Sequence, residues 1–159
     1  MIRKGLKRCS YSARYVLLQQ TGGYLVACVA IIDDSKDALE LFEFMLRDPH
    51  EFFTFTSGKE FLTEFRPGQF ALILLDIAMP DMDGFEVFSR IQQIDKNVPV
   101  VAISAVAAPA EREKALRAGF CDYFVKPILE IDKFRNAVYS HVGECANPPY
   151  DPSKNEPAA

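Results

Sequence analysis

Leu74-Leu75-Asp76-Ile77-Ala78-Met79-Pro80-Asp81-Met82-Asp83-Gly84 is the stretch on which the fold turns. An apolar run, Phe70 to Leu75, stops at a carboxylate and passes into a loop punctuated by Pro and Gly. Such a run predicts a buried parallel strand with Asp76 at its carboxyl end, where open α/β sheets place their chemistry. Three further apolar runs end in the same way. Val26 to Ile32 closes on Asp33-Asp34, Val98 to Ile103 on Ser104, and Tyr123 to Val125 on Lys126-Pro127. Four strand ends thus offer three carboxylates, a hydroxyl and an ammonium.

Between these runs the apolar period lengthens to that of helices. Leu39, Phe42 and Leu46 mark one face of a helix over Ser35–Arg47, which Asp34 or Ser35 can cap and Asp48-Pro49 ends. Phe52–Phe55 reads as a second strand, and Ser57–Phe65 as a helix closed by Pro67-Gly68. Gly84–Gln93 is the third helix. Pro109–Ala118 is the fourth, with Pro in its first turn and Gly119 at its end. Cys121–Val125 is the fifth strand and Glu130–Val142 the last helix. Five β/α units predict an α/β fold, a doubly wound five-stranded parallel sheet with helices on both faces. The flavodoxin-like strand order 2-1-3-4-5 fits, and it makes the first and third strands neighbours, so Asp33, Asp34 and Asp76 converge.

At 159 residues the chain suits one domain with a single core, and nearly half its residues are apolar. No stretch approaches the ~20 apolar residues of a membrane span. The net charge of −4 divides unevenly. Arg3, Lys4, Lys7, Arg8 and Arg14 precede Asp33, and every Asp and Glu lies at or after it, giving +5 and −9. An acidic body argues against direct nucleic-acid binding. Cys9, Cys28, Cys121 and Cys145 show neither CxxC spacing nor a histidine cluster, so free thiols in a reducing cytoplasm are expected, with Cys28 and Cys121 in the core. Residues 1–25 read as a poorly ordered basic extension, superficially like an organellar transit peptide. Residues 26–143 form the folded domain, and 144–159 read as a disordered tail.

Converging carboxylates repel one another, which raises their pKa values unless a cation intervenes, and a hard divalent ion such as Mg²⁺ suits an all-oxygen cluster. Together, Asp33-Asp34, Asp76, Ser104 and Lys126-Pro127 resemble the receiver domain of two-component response regulators, over about Val26 to Val142. The Met79-Pro80 and Met82-Asp83-Gly84 loop matches as well, with Gly84 expected to permit a turn that a Cβ would hinder. The resemblance implies that Asp76 is the phosphoacceptor for a phosphohistidine on a partner protein. It implies that Mg²⁺ is held by Asp34, by Asp33 through water, by Asp76 and by the Ala78 backbone carbonyl. Lys126 would pair with the phosphoryl oxygens, and with Asp76 before transfer; its bond to Pro127 is cis in the family. Ser104 would donate to a phosphoryl oxygen, and Tyr123 would turn inward as the switch residue. Ser104 stands where Thr is commoner. Ala78 and Val106 offer no side chain to orient an attacking water, which predicts slow loss of the phosphoryl group.

The resemblance implies a stand-alone response regulator, not an enzyme on other substrates. Its partners would be a sensor histidine kinase or a histidine phosphotransfer protein. Its output would be a downstream protein or a homodimer, through the fourth helix, fifth strand and fifth helix. Glu111, Arg112, Glu113, Lys114 and Arg117 could serve that face or simply be solvated. No membrane contact is expected. A phosphotransfer intermediate or a receiver fragment of a hybrid kinase stays open. A hydrolase with an aspartyl nucleophile fits poorly, because Ala78 stands where its second acid belongs.

Overall fold

The computed structural model describes residues 15–17, 25–46 and 50–142. In chain order the elements are β1 (Tyr15–Leu17), β2 (Leu25–Ile32), α1 (Lys36–Met45), β3 (Glu51–Phe55), α2 (Gly58–Glu64), β4 (Leu72–Asp76), α3 (Gly84–Ile94), β5 (Val100–Ser104), α4 (Pro109–Ala118), β6 (Asp122–Val125) and α5 (Ile131–His141).

Strands β3-β2-β4-β5-β6 pair in parallel. Counted along the parallel strands alone, that is the order 2-1-3-4-5. All residues of β4 and β5 are buried, as central strands covered on both faces must be. Successive β2 residues point to opposite sides. Cys28, Ala30 and Ile32 pack with Phe55, Phe61, Phe65, Val87, Ile91 and Ala115, under α2, α3 and α4. Val29 and Ile31 pack with Leu39, Phe42, Met45, Phe134 and Val138, under α1 and α5. Burying about thirty large apolar side chains among the described residues, each contributing roughly 1.5–3 kcal/mol, drives this arrangement.

Caps set the starts of α1 and α2 one residue inside the periodic pattern. Ser35, not Asp34, caps α1, its Oγ accepting the Ala38 N–H. Ser57 caps α2 by accepting the Glu60 N–H at 3.0 Å, while the Glu60 carboxylate accepts the Thr56 N–H at 3.0 Å. Asp83 caps α3. Gly119 ends α4 at φ 113°, a left-handed conformation that favours glycine.

One strand was absent from the sequence expectation. β1 pairs antiparallel with the start of β2, Tyr15 opposite Ala27 and Leu17 opposite Leu25. The parallel neighbours of β2 begin only at Cys28 and Val29, so its first residues carry backbone groups that need another partner. The rest of the expected extension (1–14 and 18–24), the expected tail and Cys9 and Cys145 lie outside the described residues. Cys28 is fully buried, whereas Cys121 is only half-buried. Among the described residues no helix is long and apolar enough to cross a membrane.

Candidate functional site

Register assembles the site. Ile32 lies opposite Leu75, Asp76 opposite Ile103, and Ser104 opposite Val125. Asp33, Asp76, Ser104 and Lys126 therefore share the carboxyl edge of the sheet. Asp33, Asp76 and Ser104 are buried there, and Asp34 is exposed beside them.

Lys126 Nζ donates to Asp76 Oδ2 at 3.1 Å and to Asp33 Oδ2. The second oxygen of each carboxylate takes a backbone donor: Asp76 Oδ1 accepts the Ala78 N–H at 2.9 Å, and Asp33 Oδ1 accepts the Ser35 N–H at 2.9 Å. The expected Lys126–Asp76 pair is present, and Asp33 joins it, an addition that the sequence did not show. Burial alone would lower the pKa of Lys126. The hydrogen bond to Asp33 and the charge of Asp76 outweigh that and hold it above its ordinary value. Burial likewise raises the pKa of Asp76. The Ala78 N–H and Lys126 oppose the rise, and the charge of Asp33 adds to it. Desolvation therefore outranks the carboxylate repulsion that sequence reasoning named.

Asp33, Asp34 and Asp76 each bring a carboxylate oxygen within 4.8 Å of the others. An all-oxygen, strongly anionic set of this size fits a hard divalent cation.

Around Ser104 the bonds continue into the following loop. Ser104 Oγ accepts the Val106 N–H at 3.1 Å, and the buried Tyr123 donates its hydroxyl proton to the Val106 carbonyl at 2.7 Å. Val106 is 44% exposed. The Lys126–Pro127 peptide bond is cis. Gly84 has an ordinary φ, so it is not there for an unusual turn. A Cβ on it would lie 2.5 Å from Ile77 Cα and 2.8 Å from the Asp76 carbonyl oxygen. The glycine is required by close approach of α3 to the loop after Asp76.

A second polar cluster escaped sequence reading. Asp122 at the start of β6 meets Arg112 of α4 and His141 of α5. Arg112 looked like one of several surface charges on α4, and only a carboxylate opening a strand between two helices hinted otherwise.

With this geometry in place, comparison with known proteins decides the family. The model of the response regulator receiver domain matches residues 29–139, most of the chain. The chain belongs to the response regulator receiver family. An uncharacterised 14.6 kDa protein in the sodA1 3′ region of Leptolyngbya boryana is 36% identical over 110 residues, 67% of this chain and 84% of that protein. The signal transduction histidine-protein kinase BarA of Escherichia coli (strain K12) is 34% identical over 77% of this chain, which spans only 14% of the kinase. The BeF3-activated DrrB receiver domain, from Thermotoga maritima, shares the fold with a TM-score of 0.67 at 24% identity, covering 73% of this chain and 97% of that one. This receiver is accordingly a domain of two-component signalling.

Proposed function

We propose that this receiver takes a phosphoryl group on Asp76 from a phosphohistidine of a sensor kinase or histidine phosphotransfer protein. An Asp76 carboxylate oxygen would form the new P–O bond as the P–N bond to the imidazole breaks, its electron pair returning to the ring. The supporting observation is the shared grip of Lys126 on Asp33 and Asp76, with the Asp34 carboxylate alongside. Asp33, Asp34, Asp76 and the Ala78 carbonyl would hold Mg²⁺, which supplies charge neutralisation at the phosphoryl oxygens. Lys126, already at the carboxylate, can shift onto the incoming phosphoryl oxygens without crossing the pocket. Ser104 supplies a neutral hydrogen-bond donor. Such positioning and charge neutralisation are most of what phosphoryl transfer requires, so the domain would catalyse only its own phosphorylation and dephosphorylation.

The reading includes a protein-contacting output face made by α4, β6 and α5, presented to a target or to a second copy. It also implies a cytoplasmic setting. The match to a small segment of BarA favours a second reading, a receiver from a hybrid kinase or a phosphorelay intermediate. Rapid return of the phosphoryl group to a histidine phosphotransfer protein would select it over the stand-alone regulator.

Incubation with acetyl phosphate and Mg²⁺, followed by intact mass measurement, tests the central claim. One phosphate adduct is expected, dependent on Mg²⁺ and absent from Asp76→Asn. An adduct that persists in that variant would place the acceptor elsewhere.

A further inference from the structure

Asp122 lies mostly buried between α4 and α5 and uses both carboxylate oxygens. Oδ1 accepts the Tyr123 N–H at 2.8 Å and Arg112 Nη2 at 3.3 Å, and Oδ2 meets His141 Nε2 at 3.2 Å. Arg112 Nη1 also donates to the Tyr123 carbonyl at 2.6 Å. One strand residue thereby ties α4 and the last residue of α5 to β6, immediately before the tyrosine. These ties matter because α4 is thinly anchored. Its buried residues are Ala115 and Leu116, with Lys114 over the Phe85 ring at 4.4 Å as a further hold.

The consequence reaches the phosphoacceptor pocket through Tyr123. Its carbonyl is held by Arg112 and its hydroxyl by Val106, whose N–H in turn occupies Ser104 Oγ. A hydroxyl that accepts one hydrogen bond keeps its proton for another acceptor. Gripping the Val106 peptide therefore presets Ser104 as a donor toward a phosphoryl oxygen.

We propose that Asp122 is a positioning residue: by clasping Arg112 and His141 it holds α4, α5 and Tyr123 in the arrangement that readies Ser104 for the phosphoryl group. This rests on Asp76 as the phosphoacceptor. Burial alone would raise the pKa of Asp122, but the bonds from His141, the Tyr123 N–H and Arg112 outweigh it and keep the carboxylate charged. Linkage makes the effect reciprocal. Whatever loosens the clasp must weaken binding of a phosphoryl mimic, and the mimic must tighten the clasp.

Calorimetric titration of the full chain with beryllofluoride in Mg²⁺ tests this, comparing native protein with Arg112→Gln, Asp122→Asn and their double variant. Lys133→Gln, which breaks only an exposed pair on α5, is the control. Half-saturation should rise about threefold to tenfold in each single variant and no further in the double, with the control unchanged. A lowered melting temperature with native beryllofluoride affinity would reduce the clasp to a stabilising contact and overturn the proposal. Losses that add in the double variant would deny that the residues act together. If Asp122→Asn does not fold, Arg112→Gln and His141→Gln each remove one arm and carry the same comparison. Native protein that neither binds beryllofluoride nor takes phosphate from acetyl phosphate would remove the phosphoacceptor reading and the proposal with it. Native binding with indifferent variants removes the proposal alone.

Discussion

Gly84 leaves no room for a methyl group between α3 and the backbone of Asp76 and Ile77. Because both obstructing atoms are backbone, Gly84→Ala cannot be relieved by a rotamer change. It should cost about 1–3 kcal/mol, read as a lower urea midpoint; an unchanged midpoint would show that the loop yields freely. Val106 raises a kinetic expectation instead. Its side chain projects into solvent while its backbone N–H and carbonyl are engaged by Ser104 and Tyr123. Val106→Glu can therefore place a water-orienting carboxylate near Asp76 without burying charge. Loss of phosphate from phosphorylated protein should quicken by about tenfold or more. An equal half-life would mean that the apolar side chain is not what makes decay slow. The residue types at Asp33, Asp34, Asp76, Ser104 and Lys126 were legible in sequence because each ends an apolar run. The reason for Gly84 was not, since only the packed helix shows what a Cβ would strike.

Elements are held to one another by a few buried polar groups. Asp95 caps the end of α3, accepts the Asn97 N–H at 3.0 Å, and takes the Gly68 N–H at 2.9 Å from the turn that leads to β4. Asp95→Ala leaves those donors without their carboxylate and should cost about 2–3 kcal/mol in denaturant unfolding. A cost within error of zero would show that water replaces it. Asp122 has a pH signature. Its folded-state pKa is depressed below the ordinary 3.8, so the folded chain holds fewer protons there than the unfolded chain as pH falls. Its contribution is complete above that value and drains away as acid carries the pH down through the folded-state pKa. The stability gap between native protein and Asp122→Asn, about 1–3 kcal/mol at neutral pH, should close in that acid range. A gap that stays constant through it would mean that the carboxylate's charge is not what the clasp uses. Periodicity predicted every helix and parallel strand to within a few residues. It missed β1, because a three-residue strand has no period to read and takes its place by pairing with the start of β2.

For the molecule as a whole, the parallel sheet concentrates negative charge at one edge. If Mg²⁺ binds there, it must stabilise the folded chain by mass action, by about 2.7 kcal/mol at a hundred times its dissociation constant. The thermal midpoint should therefore rise with Mg²⁺ in native protein and rise much less in Asp34→Asn, whose exposed side chain can change without disturbing the core. Equal responses would exclude Asp34 as a ligand. The amino-acid sequence by itself determined the five β/α units and the residues that end their strands, because apolar period and strand-end chemistry are local properties. Tertiary structure alone decided who touches whom. Asp33 and Lys126 stand 93 positions apart and meet through strand register. Arg112, Asp122 and His141 lie on three successive elements, and packing brings them onto one carboxylate. Side-chain partners of that kind depend on the distance between packed elements, which no local pattern in the chain encodes.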